Sequence, residues 1–226
     1  MEDALVVPEL GAVAGRRVFE SSNRWGIPDV LPQDFGRCIL RLPLHRYSTV
    51  HRKGVCHFFL HDGRFESVWT RPALGLKAVQ GYAAVLTPDF SLFRDRSLAE
   101  HVWNTYRNRW IGRWWQEHGL RVIPTVSWAE ARTFHFCFEG IPKGQIVAVA
   151  TFGLADRTTR RFFIHGLERM LERLEPTGLI VYGIPPKGFP LASLIPSSCR
   201  CAFHPHQWQE WTMRAASKRK ARKKRR

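Results

Sequence analysis

The sequence AAVLTPDFSLFRDRSLAEHVWNTYRNRWIGRWWQEHGLRVIPTVSW, residues 83–128, contains two short apolar runs on either side of one long amphipathic segment. The runs, residues 83–86 and 121–123, have the length of strands and are apolar enough to be buried on both faces. Ser97 and Glu100 form a capping-box pattern and Gly119 is a typical stop, so the segment predicts a helix that runs to His118. A strand, a helix and a strand in this order predict a parallel βαβ unit.

The alternation of a short apolar run with a longer amphipathic stretch recurs along the chain. The apolar runs are residues 38–42, 55–60, 83–86, 121–123, 146–150 and 179–182. Successive runs lie 28, 37, 27 and 32 residues apart, counted between His57, Val85, Val122, Val149 and Val181. Each step has room for one strand, one helix and two loops. We therefore predict an α/β fold of five to six largely parallel strands alternating with helices, as an incomplete TIM-like barrel or an open wound sheet.

A second long helix is predicted to begin at Asp156, a favourable N-cap, and to end before Pro176 and Gly178. Its apolar side chains fall on one face, which predicts packing against the core. They are Phe163, Leu167, Met170, Leu171 and Leu174.

Two segments allow alternative structures. Ser127 and Glu130 form another capping-box pattern, which predicts a short helix ending near Gly140, although the phenylalanines at 134, 136 and 138 alternate as in a strand. We prefer the helix. Asp62-Gly63 could turn a hairpin between residues 55–60 and 65–69, which would replace the first βα unit by a β-ribbon.

Composition favours a globular protein, because 44% of the 226 residues are hydrophobic and 24% are charged. No apolar run approaches the roughly 20 residues of a membrane helix, and the N-terminus lacks the pattern of a secretory signal, so we expect a cytoplasmic protein with no membrane partner. Five cysteines without an export signal predict reduced thiols. We divide the chain into an irregular lead-in (1–36), a single α/β domain (37–213) and a disordered basic tail (214–226).

The tail concentrates the positive charge of the chain. Nine of its residues are basic and none is acidic, which leaves +7 of the formal net charge of +16 for the rest. The basic residues are Arg214, Lys218, Arg219, Lys220, Arg222, Lys223, Lys224, Arg225 and Arg226. Such a run cannot pack on itself and attracts polyanions, so it predicts DNA or RNA as a partner. The alternative is a solubilising tail with adventitious affinity for RNA.

Polar residues follow the predicted strands, at the edge where α/β proteins bind their ligands. This strand-end rim comprises His61, Asp62, Thr87, Asp89, Thr125, Ser127, Trp128, Thr151 and Lys187. With sequential strands, Asp62 and Asp89 would be neighbours, able to share a metal, hold a sugar, or act as acid and base. The alternative is that these residues form turns and caps.

The helix from Ser97 combines tryptophan with arginine. Trp103, Arg107, Trp110 and Trp114 share one face, and aromatic side chains interleaved with arginine are suited to stacking bases and holding phosphates. Arg107, Arg109, Trp110 and Arg113 are therefore candidates for nucleic-acid or anion binding. The alternative is that the tryptophans are core residues on which the arginines stack.

Metal and cofactor signals are weak. Cys199, Cys201, His204 and His206 have the chemistry of a zinc site, but their one-residue gaps make joint tetrahedral ligation awkward, so we predict no metal. His51, Cys56, His57 and His61 are weaker still, because alternate residues of a strand face opposite ways. No phosphate-binding glycine loop, nucleophile elbow or HExxH motif occurs, and no cofactor is predicted.

Several longer strings resemble a known family. They are TPDFS at 87–91, WNTYRNR at 103–109, VIPTVSW at 122–128, CFEGIP at 137–142 and VYG at 181–183. Together they resemble the domain of unknown function numbered forty-four-seventeen, over roughly residues 55–183. The resemblance implies a setting in phages, plasmids or other mobile elements, and it supplies no catalytic residue.

The function we expect is that of a nucleic-acid-associated protein of a mobile element, in which the basic tail gives electrostatic affinity. One alternative is an enzyme of unknown reaction that uses Asp62 and Asp89 at the strand ends. Another is a structural or partner-binding module.

Overall fold

Short β-branched and apolar runs form the strands of this protein. The structure is a computed structural model that describes residues 16–36, 38–47, 53–151, 154, 156–206 and 209. Within these residues the strands are β1 (Leu44–Arg46), β2 (Val55–His57), β3 (Ala84–Leu86), β4 (Val122–Ile123), β5 (Ile146–Ala150), β6 (Gly178–Tyr182) and β7 (Arg200–His204). The helices are α1 (Glu66–Thr70), α2 (Pro72–Val79), α3 (Leu98–Glu117), α4 (Arg157–Leu174) and α5 (Leu191–Leu194).

The strands form two sheets in chain order, β1-β2-β3-β4 and β5-β6-β7, and every neighbouring pair is parallel. An isolated parallel bridge between Thr125 and Ala148 joins the sheets, where Val126 N donates to Ala148 O at 2.8 Å. The described strands do not close into a barrel. The predicted α/β class with largely parallel strands is confirmed.

Each strand is buried on both faces because the two faces pack on different layers. One face of the first sheet, with Val85 and Val122, packs against α3, and one face of the second sheet packs against α4. The opposite faces of both sheets share one cluster, to which Leu86, Ile123 and Ile180 contribute. The two sheets therefore enclose a common apolar interior.

The two long helices begin at the predicted caps. The Ser97 side chain accepts a hydrogen bond from Glu100 N at 3.2 Å, and the Asp156 carboxylate accepts one from Thr159 N at 2.9 Å. The five residues predicted for the apolar face of α4 are all buried. The pattern of apolar positions and caps was therefore sufficient to place both helices.

Two local predictions were wrong, and one strand was missed. Residues 38–42 were predicted as a strand, but they contain a 3₁₀ turn, Ile39–Arg41, and the strand β1 follows it. The run is apolar because its side chains pack on the shared interior. The strand β7 was missed because its mixed sequence, RCAFH, is only partly buried. Ser127 caps no helix: a 3₁₀ helix, Ala131–His135, begins after Glu130 and makes no side-chain cap.

The hairpin alternative at Asp62-Gly63 is excluded. Asp62–Arg64 is a 3₁₀ turn that leads into α1 and α2, and β2 pairs in parallel with β3. The segment after β2 is therefore the connection of a βα unit.

The lead-in is irregular over residues 16–36, which contain no helix or strand. It is nonetheless part of the core, because Phe19, Ile27, Val30 and Phe35 are buried. The predicted basic tail, with Gly153 and His51, lies outside the described residues. In the part of the chain that is described, no helix is both long and apolar enough to cross a membrane.

Candidate functional site

A cleft of about 650 Å³ lies at the carboxyl ends of β2 to β5. The predicted rim residues His61, Asp89, Ser127 and Trp128 all line it. The first turns of α4 supply another wall through Thr159, Phe162 and Phe163. The topology therefore brings loops from consecutive strands to one cavity, as parallel connections do.

The remaining rim residues hold the strand ends together or lie outside the cleft. Thr87 and Thr125 are buried and exchange two hydrogen bonds of 2.8 Å, from Thr125 N to Thr87 Oγ1 and from Thr125 Oγ1 to Thr87 O. Thr151 is buried and its N–H donates to Tyr182 O at 2.9 Å. Lys187 is exposed.

Asp89 is the acidic side chain on the cleft wall. Its Oδ1 atom is buried and has no hydrogen-bond partner. The pKa of Asp89 is raised to about 7, mainly by burial and also by the negative charge of Asp62, while a hydrogen bond from Ser127 acts in the opposite direction. Asp89 therefore exchanges its proton near neutral pH, whereas an ordinary aspartate is ionised there.

Asp62 lies behind Asp89 and holds the loop that carries it. The Asp62 carboxylate accepts hydrogen bonds from Ser91 N at 3.0 Å and Ser91 Oγ at 2.8 Å, and Asn104 Nδ2 of α3 donates to Ser91 O at 2.8 Å. The two aspartates interact electrostatically, but only Asp89 lines the cleft. In the described residues no group of three or more metal-ligating side chains has the arrangement of a metal site.

Arg107 and Arg109 are both engaged inside the fold. Arg107 Nη1 pairs with Glu66 at 2.8 Å, and its guanidinium lies 3.8 Å from the centre of the Phe90 ring. Arg109 is only 1% exposed, and it donates to three main-chain carbonyls and to the Asn108 side chain. These contacts tie α3 to the loop after β4 and to residues 137–139.

Trp110 and Arg113 also make internal contacts. Trp110 is buried, and its Nε1 donates to Arg17 O at 2.8 Å. Arg113 donates to Glu117 and to Asp29 O. On the same helix, Trp103 is 42% exposed. The assignment of the four α3 residues to anion binding stays a prediction, and each of them makes hydrogen bonds within the chain, although Arg107 Nε has no partner.

The sequence analysis missed two residues that line the cleft. Arg94 and Phe93 line the cleft from the loop after β3, and the Arg94 guanidinium lies 5.2 Å from the Phe162 ring centre. A signal was present, since both follow the motif at 87–91 directly.

His57, at the end of β2, was considered in the sequence only as a weak metal ligand. It is 3% exposed, and its ring packs at a tilt against Tyr182, with 4.4 Å between ring centres. The pKa of His57 is lowered to about 3, mainly by burial and also by the positive charges of His204, His45 and Arg46.

The Cys-His run forms β7 and its surroundings. Burial raises the pKa of the Cys199 thiol to about 11 and that of Cys201 to about 12, so both are protonated thiols at neutral pH. Burial lowers the pKa of His204, and His206 Nδ1 accepts a hydrogen bond from Gln209 N at 3.3 Å.

Comparison with known proteins identifies the family. The profile of the family described as Domain of unknown function (DUF4417) matches residues 19–190. The chain belongs to the DUF4417 family. Over 172 residues this DUF4417 protein is 42% identical to the Gene 1 protein of Mycobacterium phage L5, an alignment that covers 74% of this chain and 75% of the relative.

A second phage relative gives the same result. The Gene 1 protein of Mycobacterium phage D29 is 44% identical over 172 residues, which cover 74% of this chain and 64% of the relative, so the match spans less than two thirds of that protein. No solved structure matches the DUF4417 protein. The predicted family and its phage setting are confirmed.

Proposed function

We propose that this phage-associated protein binds single-stranded nucleic acid and that one base enters the strand-end cleft. The observation that carries the proposal is the cleft itself, whose walls combine aromatic rings with polar groups. Trp128, Phe162 and Phe163 line the cleft, and so does Phe93, which is 56% exposed. A base stacked on an aromatic ring gains about 1–3 kcal/mol, whatever its identity.

Charge supports the same function. The formal net charge of +16 attracts a phosphate backbone, and the basic residues at 214–226 would add affinity that depends on salt but not on sequence. Arg94 lines the cleft and adds a positive charge there that can pair with a phosphate. In this arrangement the tail increases affinity and the cleft determines which nucleotide is bound.

An acid–base enzyme that uses the same cleft is the second candidate. It is favoured by Asp89, whose proton is exchangeable at neutral pH, as a general acid or base requires. Conversion of the bound oligonucleotide to a new product, lost in the Asp89→Asn variant, would distinguish the enzyme from a binding protein.

The test is fluorescence anisotropy with labelled single-stranded DNA and RNA 12-mers across a salt series, using the full chain. We expect Phe93→Ala and Arg94→Gln to weaken binding at least fivefold. The matched controls, Phe203→Ala on the exposed side of β7 and Arg169→Gln on the outside of α4, should change it less than twofold.

A tail variant in which the nine basic residues from Arg214 to Arg226 become glutamine separates the two contributions. It should flatten the salt dependence while the effects of Phe93→Ala and Arg94→Gln persist. Unchanged affinity in both cleft variants, with complete loss of binding in the tail variant, would refute the role of the cleft.

A further inference from the structure

An apolar groove of about 540 Å³ runs along the first half of α3 and shares no residue with the strand-end cleft. Trp103 is 42% exposed there and Leu98 is 36% exposed. None of the side chains that form the groove is charged. They are Trp25, Leu98, Ala99, Val102, Trp103 and Tyr106. An exposed concave surface of this composition is suited to an apolar segment of polypeptide.

The described part of the chain begins beside this groove. Trp110 Nε1, further along α3, donates to Arg17 O at 2.8 Å. One residue earlier, the Arg16 guanidinium lies 3.6 Å from the centre of the Trp69 ring and interacts electrostatically with Tyr106 of the groove. Towards residue 16 the chain therefore approaches the groove.

The sequence ahead of Arg16 contains a segment that fits the groove. Residues 4–10, ALVVPEL, lie outside the described residues and form an apolar run whose proline favours an extended backbone at the preceding residue. The six residues from Leu10 to Arg16 can span about 20 Å. The stretch of α3 over residues 98–106 is about 12 Å long. The run can therefore reach the whole length of the groove.

Charge favours this occupant over a second copy of the chain. Residues 1–15 contain three acidic residues, Glu2, Asp3 and Glu9, and no basic one. On the groove side, the Arg24 guanidinium lies 5.1 Å from the centre of the Trp25 ring. Two copies of the chain, each with a formal net charge of +16, repel one another, whereas a tethered segment is present at an effective concentration of about a millimolar.

We propose that residues 4–10 pack into the α3 groove of the same chain and cover the exposed ring of Trp103. Leu5 and Val7 lie on one side of an extended segment, and they are the side chains that contact the groove. The inference is independent of the proposed function, because no residue of the groove lines the strand-end cleft.

Hydroxyl-radical footprinting of the full chain, with mass spectrometry as the readout, measures the exposure of the Trp103 ring. The wild type is compared with the double variant Leu5→Asp/Val7→Asp, because two carboxylates cannot be buried in an apolar groove. The matched control is Ala12→Asp/Ala14→Asp, which adds the same charges at the same spacing but outside the docking run.

We expect Trp103 to be oxidised at least threefold faster in Leu5→Asp/Val7→Asp than in the wild type and in the control. Phe203, exposed on β7, should react at one rate in all three proteins. Trp115, which is fully buried, should stay protected in all three and so report that the fold is intact.

Photo-crosslinking identifies what covers the groove. In the full chain with Leu5→p-benzoylphenylalanine, we expect crosslinks to residues 98–106 of the same chain, at a yield that does not change with protein concentration. Arg169→p-benzoylphenylalanine, on the outside of α4, should give no crosslink to these residues.

Either measurement can overturn the proposal. Equal oxidation of Trp103 in the wild type and in Leu5→Asp/Val7→Asp would show that residues 4–10 do not cover the ring. Crosslinks from position 5 that join two chains, or that miss the groove, would show that its occupant is not this segment.

Discussion

Replacing Arg109 by methionine should destabilise the fold by about 3–5 kcal/mol. Arg109 donates to Glu139 O at 3.0 Å, Thr125 O at 3.1 Å and Cys137 O at 2.7 Å, and it is almost fully buried. Methionine fills similar space but removes the Arg109 donor from all three carbonyls, of which Thr125 O keeps only Asn108 Nδ2 at 3.5 Å. Each lost hydrogen bond costs about 1–3 kcal/mol where the carbonyl is buried, and the removal of a buried charge offsets part of the loss. A domain with a total stability of about 5–15 kcal/mol would stay folded, with little margin.

Urea unfolding followed by tryptophan fluorescence measures this effect as the shift in midpoint multiplied by the slope. The control is Arg169→Met, which removes an exposed pair with Glu172 and should change stability by less than about 1 kcal/mol. Arg109→Lys should recover a small part of the loss, because an ammonium group cannot reach all three carbonyls. A loss below about 1 kcal/mol for Arg109→Met would refute the view that this guanidinium holds α3 to the loops beneath the cleft.

Three further predictions concern protonation and packing. His57 takes up a proton near pH 6.5 in the unfolded chain but only near pH 3 in the native state, so stability falls as the pH drops through this range. In urea titrations the wild type should lose about 2 kcal/mol more stability than His57→Gln between pH 7 and pH 5. The control variant, His135→Gln, should behave as the wild type. The pH dependence from Asp89 has the opposite sign, because its raised native pKa makes the ionised form costly above pH 7. The stability gained by Asp89→Asn over the wild type should be about 2–3 kcal/mol larger at pH 8 than at pH 5. An equal gain at both pH values would contradict the raised pKa. A Cβ at Gly166 would overlap the Trp128 indole, so Gly166→Ala should lower the free energy of unfolding by about 1–3 kcal/mol, measured by heat or urea. The displaced indole should also weaken oligonucleotide binding. Normal binding by this variant would show that Trp128 does not form the wall of the site.

Local signals predicted the part of the fold that depends on local structure. Ser97 and Asp156 cap their helices because a side-chain oxygen can satisfy an N–H within the same turn. The strand β7 gave no such signal, since its RCAFH sequence becomes a strand only through pairing with β6. The run at 38–42 was wrongly predicted as a strand, because a short buried 3₁₀ turn and a short buried strand have the same apolar composition.

The position of the site was predictable, whereas the roles of single residues were less so. Strand ends of parallel units lie along one edge, which is why His61, Asp89, Ser127 and Trp128 could be grouped in advance. Arginine and tryptophan on one helix face have the same pattern whether they bind a ligand or the chain's own carbonyls. Only the tertiary contacts of α3 show that Arg109 does the second.

The contrast between satisfied and unsatisfied polar groups argues that the cleft has been kept for a ligand. Beneath the cleft, the Thr87–Thr125 pair is fully hydrogen-bonded, and Asn108 Nδ2 donates to Pro88 O at 2.7 Å. Among the described residues, the nitrogens His101 Nδ1, Arg107 Nε and Trp115 Nε1 also lack partners, but none of these three residues lines the cleft. Asp89 combines an unpartnered buried atom and a raised pKa with a place in the lining of the cleft. An asparagine at this position would remove the cost of the buried charge, so the carboxyl group here lowers stability above neutral pH, as a site used for acid–base chemistry would.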